Sequence, residues 1–211
     1  MRVKLSQWMV LALLPLLCSA GDPTRFALPP TPPRFAPPAV GVLFADDFSH
    51  GLDAWQADHP GVWSTWRGML RADLPDQKQL RSMLRAGDPA WRDYALDFDA
   101  CMMRGVDKGA VVRLVEETGV GVDLRGGTYQ DVIAYIREWP VGKAPAINSN
   151  GTWNHVRIEV HRERMVVRVN GEQVLDRPIT RAPHGGFAMA AYTGGSGECT
   201  VYYDNVVVTA L

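Results

Sequence analysis

Apolar and polar residues alternate along most of the chain from residue 42 onward. In YALDFDACM, Tyr94, Leu96 and Phe98 are separated by Ala95 and Asp97, the period of two expected of a β-strand with one buried face. Glycine or proline interrupts the pattern at intervals of about a dozen residues, and no stretch shows helical periodicity. The same alternation recurs in WNHVRIEVHR, RMVVRVNGEQVL and TVYYDNVVVTA.

A strong turn signal accompanies these strands. Asn170 and Gly171 lie between two valine-rich runs, and Asn-Gly in that position is typical of a tight β-hairpin. Hairpins join antiparallel strands, and a chain of 211 residues fits one core of ordinary size plus appendages. The pattern therefore predicts an all-β antiparallel sandwich over residues 42–211.

The order of the segments resembles that of a known superfamily. FADDFSHGLDAW, with its acidic-Phe strand and turn to a tryptophan, is followed by WRDYALDFDACM, GAVVRL, TWNHVRIEVHRERMVVRVNGEQV and a final VYYDNVVV. This order is similar to that of concanavalin-A-like jelly rolls, most of all the group that joins laminin-G-like domains with the 3-keto-disaccharide hydrolase family. The resemblance covers nearly all of residues 42–210. It implies a two-sheet antiparallel jelly-roll sandwich whose concave face binds the ligand.

The resemblance is incomplete where the hydrolase family is most recognisable. Its members tend to carry an Asn-Ser-Gly-like stretch before an arginine-bearing strand and a Tyr-Glu pair on the next strand. The corresponding segments here read KGAVVRL and VGVDLRG, in which only Arg113 matches. The resemblance therefore implies the fold more directly than the activity.

The N-terminal residues have the order of a secretory signal. Arg2 and Lys4 precede an apolar run that ends in Cys18-Ser19-Ala20, and this run is shorter than the ~20 residues that span a bilayer. We expect a signal peptide over residues 1–20, a proline-rich linker over residues 21–41 and export to the periplasm, envelope or exterior. Cleavage after Ala20 would give a soluble chain, whereas acylation of Cys18 would anchor the chain to a membrane.

The charge of the chain bears on its binding partners, and its cysteines bear on disulfide formation. Without residues 1–20 the chain has 22 − 2 = 20 basic residues against 23 acidic ones, a net charge of −3, and it has no Lys/Arg run. We therefore expect no nucleic-acid partner. In an oxidising compartment Cys101 and Cys199 either form a disulfide or remain buried free thiols.

The acidic pattern of one class of glycosidase is missing. Laminarinase-type relatives of the implied fold carry Glu-x-Asp-x-x-Glu on one strand, and none of the seven glutamates here begins that pattern. Glycosidic hydrolysis usually needs two carboxyl groups on either side of the bond. We therefore expect little hydrolysis of that type, although a pair from separate strands, such as Glu116 with Asp123, stays open.

A candidate ligand surface follows from the parity of three successive strands, AVVRLVEE, VGVDLRG and QDVIAYIREW. Alternate residues of a strand share one face, and the non-core face here combines arginine, aspartate and aromatic side chains. An aromatic ring can stack on a sugar while arginine and aspartate bond its hydroxyl groups. The alternative is an ordinary solvated outer face. The predicted carbohydrate-binding residues are Arg113, Asp123, Arg125, Tyr135, Arg137 and Trp139.

Three acidic residues form a separate candidate site. Asp46 and Asp47 end the first predicted strand, and the implied fold brings that strand beside the last one, which carries Asp204. Carboxylates brought together favour a cation, and Ca²⁺ takes about six to eight oxygen ligands. The sequence thus predicts a possible structural calcium ion at these residues. The alternative is that the acids cap strand ends by hydrogen bonding to backbone.

These features together predict an exported or envelope-attached carbohydrate-recognition domain without catalytic activity. The first alternative is a sugar-cleaving enzyme of the 3-keto type, which abstracts a proton beside a ketone. By analogy with the fold, the nearest histidine for that step is His184, in APHGGF. A second alternative is a structural or adhesion domain with no small ligand.

Overall fold

The computed structural model describes residues 27–33, 40–137 and 139–211. The predicted signal peptide, the possible lipid anchor at Cys18 and most of the predicted linker lie outside these residues. Strands and turns make up the described part, which contains no helix long and apolar enough to cross a membrane. The strands are β1 (Val42–Asp46), β2 (Gln56–Ala57), β3 (Trp63–Trp66), β4 (Met69–Asp73), β5 (Arg81–Ala86), β6 (Tyr94–Gly105), β7 (Asp107–Val115), β8 (Thr118–Arg125), β9 (Asp131–Ile136), β10 (Trp139–Pro145), β11 (Asn154–His161), β12 (Arg164–Val169), β13 (Glu172–Pro178), β14 (Gly186–Tyr192) and β15 (Cys199–Ala210).

The strands form two antiparallel sheets, which confirms the predicted all-β jelly-roll sandwich. Sheet A has the order β13-β12-β11-β6-β15-β4-β3, and β1 also pairs with β15. Sheet B has the order β10-β9-β8-β7-β14-β5-β2. The pairing of Asp46 with Val206 confirms that the first and last strands lie side by side.

Alternate residues of the two sheets form one apolar core between them. Leu96 and Phe98 of β6 are fully buried against residues of sheet B such as Val112, Val122 and Phe187. Burial of apolar area contributes about 25 cal/mol per Å² to folding, so this alternation is the main reason that the strands form sheets.

Two buried tyrosines link the sheets by hydrogen bonds. The Tyr203 hydroxyl of β15 accepts a bond from the Gly109 backbone nitrogen at 2.9 Å and donates to the Ala190 carbonyl at 2.5 Å. The Tyr94 hydroxyl of β6 donates to the Gly186 carbonyl at 2.8 Å. These bonds satisfy backbone groups of sheet B that water cannot reach.

The predicted hairpin joins β12 to β13. Asn170 and Gly171 have φ values of 52° and 87°, the left-handed conformations that a tight hairpin turn requires at both central positions. The Asn170 side chain also accepts a bond from the His155 backbone nitrogen at 2.9 Å. This bond ties the hairpin to the start of β11.

Part of the predicted linker, residues 27–33, contacts sheet A. The Trp153 indole nitrogen donates to the Pro30 carbonyl at 2.6 Å, and the Asn205 side chain donates to the Pro33 carbonyl at 3.0 Å. Pro29 is buried. These residues therefore lie on the side of the sandwich opposite the outer face of sheet B.

The two cysteines of the domain are free and buried. Burial raises the pKa of Cys101 to about 11 and the pKa of Cys199 to about 12, so both thiols stay protonated. Of the two alternatives left by the sequence, the structure has the free thiols.

Candidate functional site

The outer face of sheet B presents three rows of side chains across strands β9, β8, β7, β14 and β5. Strand pairing fixes each row, because directly opposed residues of antiparallel strands share a face. The first row is Asp131, Arg125, Asp107, Tyr192 and Arg81. The second row is Ile133, Asp123, Gly109, Ala190 and Met83. The third row is Tyr135, Gly121, Val111, Ala188 and Arg85.

An open cavity of ≈ 520 Å³ lies over the polar end of this face and is called the cleft below. Its volume falls within the range of about 300 to 1,000 Å³ that is usual for small-molecule sites. Its walls combine charged, aromatic and small residues. The lining residues are Arg81, Val106, Asp107, Asp123, Arg125, Tyr129, Ile133, Tyr135, Arg137, Tyr192, Gly194, Gly195 and Ser196.

The ring of Tyr135 lies across the sheet rather than standing upright from it. A Cβ atom added to the neighbouring Gly121 would come within 2.5 Å of the ring, so only glycine leaves room for this position. The Tyr135 hydroxyl is held from two sides. It donates to Asp123 Oδ2 at 2.9 Å and accepts from Arg81 Nη2 at 2.9 Å.

The guanidinium group of Arg81 lies near two aromatic rings. It is 5.3 Å from the ring centroid of Tyr135 and 5.4 Å from that of Tyr192, both within the range of a cation–π contact. Arg81 forms no ion pair with a carboxylate among the residues that the structure describes. Its remaining N–H groups can therefore bind a ligand in the cleft.

Two carboxyl groups of the cleft have raised pKa values. Asp123 is only 5% exposed, and burial raises its pKa to about 6, against the opposing effects of Arg81 and the Tyr135 hydrogen bond. Burial also raises the pKa of Asp107, which Arg125 and Lys108 partly oppose. The two residues are diagonal neighbours on β8 and β7, with Cα atoms ~7–8 Å apart by the usual strand spacing.

Arg125, a predicted site residue, lines the cleft but is held by other groups. It forms a two-pronged ion pair with Asp131, with both N···O distances at 2.7 Å. Its guanidinium group also lies 4.3 Å from the ring centroid of Tyr129. Arg125 therefore forms a fixed wall of the cleft, and Tyr129 supplies an exposed ring beside it.

The structure brings Arg137 into the cleft and leaves Trp139 outside its lining. Arg137 donates to the Thr118 hydroxyl at 2.8 Å and lines the cleft at the end of β9. Trp139 begins β10, is 56% exposed and stacks with Arg181, whose guanidinium carbon is 5.2 Å from the ring centroid.

Arg113 does not share the face on which the sequence placed it. A β-bulge interrupts the pairing of β7 after Val112, and Arg113 has a φ of 51°. The bulge changes the parity of the strand, so Leu114 rather than Arg113 joins the apolar cluster of the outer face. Arg113 is 1% exposed, donates to the Arg92 carbonyl at 2.9 Å and pairs with Asp93 at 3.3 Å. Arg113 therefore bonds within the protein, and a sugar on the outer face of sheet B cannot reach it.

His184 and Glu116 also lie apart from the cleft lining. His184 donates its Nδ1 proton to the Pro89 carbonyl at 2.7 Å and is half-buried in a loop. Glu116 lines a separate depression with Arg85 and Pro89. The pair of Glu116 with Asp123 that the sequence left open is therefore not formed at the cleft, whereas Asp107 lies beside Asp123.

Asp46 and Asp47 both accept hydrogen bonds at the end of β1. Asp46 accepts from the Phe48 backbone nitrogen and from the Trp55 indole nitrogen, each at 2.7 Å. Asp47 accepts from the Ser49 hydroxyl at 2.6 Å and from the Ser49 backbone nitrogen at 3.1 Å. These bonds support the turn-capping alternative.

Asp204, the third predicted metal ligand, is opposite Asp99 on the neighbouring strand. Its carboxylate accepts from the Asn205 backbone nitrogen at 2.7 Å. Burial, and then the nearby carboxylates, raise its pKa to about 6. The described residues contain no group of three or more His, Cys, Asp or Glu side chains placed to hold a metal ion. Asp46 and Asp47 are among those nearby carboxylates, and the calcium ion at these three residues stays a prediction.

Several cleft residues were missed by the sequence analysis. Arg81 and Tyr192 lie on β5 and β14, which pair with each other although they are far apart in sequence. Asp107 belongs to the same strand as Val111, three positions before the segment from which the prediction began. Extending the alternation of β7 backward from Val111 by two periods would have placed Asp107 on the outer face.

Residues 43–209 match a family described as 3-keto-alpha-glucoside-1,2-lyase-like domain. A curated relative, the extracellular exo-alpha-L-arabinofuranosidase of Streptomyces chartreusis, is 33% identical over 79 residues, which are 37% of this chain and 9% of that enzyme. The chain thus spans only a small part of that relative.

Two solved structures show the same fold. The carbohydrate binding module CBM66 from Bacillus subtilis superposes with a TM-score of 0.64 at 13% identity, over 74% of this chain and 96% of that chain. The exoplasmic/lumenal domain of VIP36, in its Ca²⁺/Man3GlcNAc-bound form, superposes with a TM-score of 0.59 at 13% identity, over 75% of this chain and 84% of that chain.

Proposed function

This chain belongs to the 3-keto-alpha-glucoside-1,2-lyase-like family, and on that premise we propose that it binds carbohydrate in the cleft of sheet B. The observation that carries the proposal is the arrangement of Arg81 with Tyr135 and Asp123. A cation donor, an aromatic face and a carboxylate acceptor meet there in one open cavity. Sugars present both hydroxyl groups and apolar C–H faces, so this mixture matches their chemistry.

The small residues of the cleft lining support the same proposal. Gly194, Gly195 and Ser196 lie in the wall beside Tyr192 and add no bulky side chain to it. A pyranose ring can therefore enter the cleft while its edge reaches Arg81 and Asp123. The comparisons add that this fold occurs in a carbohydrate binding module and in a domain bound to Man3GlcNAc.

Binding should depend on the aromatic ring of Tyr135 more than on the guanidinium group of Arg125. An aromatic contact is worth ~0.5 to 1.5 kcal/mol beyond its buried area, whereas Arg125 already uses two N–H groups on Asp131 and has fewer to offer a sugar. A glycan array first identifies a bound sugar, and isothermal titration then compares Tyr135→Ala with Arg125→Ala. We expect the larger loss of affinity for Tyr135→Ala, with both variants folded.

The matched control is Trp66→Ala. Trp66 is an exposed aromatic residue on β3 of the other sheet, so its removal should leave affinity unchanged. An array that shows no bound glycan would contradict the proposal and favour a structural or adhesion role. Equal losses in Tyr135→Ala and Trp66→Ala would show that the effect is not specific to the cleft.

We also propose that the protein works outside the cytoplasm. The order of charged, apolar and small residues in 1–20 supports export, and the arabinofuranosidase that the chain resembles is named as extracellular. Mass spectrometry of the protein expressed with its own N-terminus tests this. An intact Met1 would contradict it.

A second candidate function is cleavage of a 3-keto-α-glucoside, the reaction named in the family description. The specific observation in its favour is the carboxyl group of Asp123, which is buried at the base of the cleft beside Arg81.

A further inference from the structure

We propose that the cleft selects an acidic sugar, one whose ring carries a carboxylate, and that Arg81 is the residue that binds this carboxylate. The inference rests on the proposed function, because a sugar must first bind in the cleft of sheet B. A neutral sugar would leave the charge of Arg81 without a counter-ion, whereas an acidic sugar supplies one.

Two exposed arginines line the cleft, and no described carboxylate forms an ion pair with either of them. These residues are Arg81 and Arg137, and each bonds only a neutral hydroxyl group, of a tyrosine and of a threonine respectively. The third arginine of the lining differs, because Asp131 holds Arg125 in a two-pronged ion pair. A ligand that brings a carboxylate therefore meets two cations that lack an ionic partner.

The two acids that line the cleft are poor counter-ions for these arginines. Asp123 is only 5% exposed, and one of its carboxylate oxygens already accepts the Tyr135 hydroxyl. Burial raises the pKa of Asp123 to about 6 and also raises the pKa of Asp107. Both shifts favour the neutral acid, which bonds sugar hydroxyl groups without cancelling the positive charge of the arginines.

The Tyr135 ring directs the edge of a bound sugar toward Arg81. This ring lies across Gly121, so one face rests on the sheet while the residue lines the cleft. A uronic acid that stacks on the ring has its carboxylate at the edge of the pyranose, attached to C5. The guanidinium group of Arg81 bonds the hydroxyl at the end of the same aromatic ring at 2.9 Å. The edge carboxylate therefore comes next to Arg81, whose planar N–H groups match two carboxylate oxygens.

The test starts from a glycan array that carries oligomers of glucuronate, galacturonate and mannuronate, sialylated lactose, sulfated lactose, and neutral gluco- and manno-oligomers. We expect the strongest binding to a glycan that carries a carboxylate. Isothermal titration then compares this glycan with its methyl ester, which removes the charge and keeps the ring. We expect the acid to bind about 10- to 100-fold more tightly than the ester, the range of charge-assisted hydrogen bonds.

Variants of Arg81 show whether this residue causes the preference. Arg81→Gln should weaken binding of the acid more than binding of the ester, so the ratio of the two affinities should fall toward 1. Arg81→Lys keeps the charge without the planar pair of donors, so its ratio should lie between those of the wild type and Arg81→Gln. The matched control is Arg164→Gln, which removes an exposed arginine on β12 of sheet A and should leave the ratio unchanged.

The pH dependence of binding gives a second measurement that needs no variant. As the pH rises through about 6, Asp123 loses its proton, and its negative charge then repels the ligand carboxylate. Asp107 acts in the same direction, because its pKa is also raised. Burial raises the pKa of Asp131, but bonds from Arg125 and Lys143 lower it overall, so Asp131 stays charged throughout. Affinity for the acid should fall roughly 3- to 10-fold between about pH 5 and about pH 8, and affinity for the ester should change less.

The outcomes distinguish this inference from the proposed function. Strongest binding to a neutral or a sulfated glycan, lost in Tyr135→Ala, would overturn the selection of a carboxylate and leave carbohydrate binding in the cleft intact. An acid-to-ester ratio that Arg81→Gln does not change, or an affinity for the acid that rises with pH, would also overturn it. An array without any bound glycan contradicts both proposals.

Discussion

Removal of the Tyr203 hydroxyl should destabilise the domain because that group satisfies the backbone of sheet B from within the core. Tyr203→Phe keeps the ring, its apolar contacts and its volume, so no cavity forms. The Gly109 N–H, which donates to this hydroxyl at 2.9 Å, then loses its partner in a region closed to water. The Ala190 carbonyl also loses a donor at 2.5 Å, although its second lone pair can use a neighbouring strand.

The expected cost follows from counting one unsatisfied buried donor. Such a group costs about 1 to 3 kcal/mol, a large part of a total stability of about 5 to 15 kcal/mol. For a domain of this size 1 kcal/mol shifts the melting temperature by about 2 to 4 °C. Urea denaturation followed by tryptophan fluorescence gives the free energy directly, and an unchanged slope would show that the unfolded state is the same.

Tyr129→Phe is the matched control, because it removes a hydroxyl from an exposed tyrosine in the loop between β8 and β9. That variant should stay within ~0.5 kcal/mol of the wild type, as surface substitutions usually do. Equal stabilities of Tyr203→Phe and Tyr129→Phe would refute the argument that this buried hydroxyl links the sheets.

Three further predictions concern the floor of Tyr135, the ion pairs of His155 and the turn after β1. Gly121→Val should displace the Tyr135 ring, so titration should show a loss of sugar affinity. A folded Gly121→Ala should show a smaller loss. The pKa of His155 is raised to about 9 by hydrogen bonds to two buried aspartates, so its stabilisation, at most about 3 kcal/mol, is complete below pH ~6.5. That stabilisation is lost as pH rises through about 9, and calorimetry on wild type and His155→Gln should converge above that pH. A chelator should leave the melting temperature unchanged. Asp46→Ala should lower the free energy of unfolding by about 1 to 3 kcal/mol, since two hydrogen bonds to its carboxylate are lost. A wild type whose melting temperature falls with chelator would favour calcium.

The strands were predictable because their alternation is local. Each strand carries its own period of two, and the turn at Asn170 needs only its own two residues. The pairing of β1 with β15 followed from the resemblance, since nothing near Asp46 in the sequence identifies Val206 as its partner. Short stretches of sequence therefore indicate the fold class, but they do not identify which strands pair with each other.

The cleft was predictable only in part, for two physical reasons. The parity of β8 and β9 placed Asp123 and Tyr135 on one face correctly, because the two strands pair without a bulge over Gly121–Arg125 and Asp131–Tyr135. The same parity argument misplaced Arg113, since one extra residue in β7 reverses the faces beyond it. Arg81 reaches the cleft only through the β5–β14 pairing, which has no local signature.

The charged side chains on the two outer faces of the sandwich differ in their bonding partners, and this difference supports the face of sheet B as the proposed binding site. On sheet A the buried Asp97 and Asp99 are covered by His155, and Asn205 bonds both Asp99 and the segment 27–33. Those charges are satisfied by the protein itself, so a ligand would have to break existing bonds to use them. On sheet B, Arg81 has no ion-paired partner among the described residues. Apart from its bond to the Tyr135 hydroxyl, the Arg81 guanidinium group is thus available, and a ligand that supplies acceptors to it gains more free energy there than on the face that residues 27–33 cover.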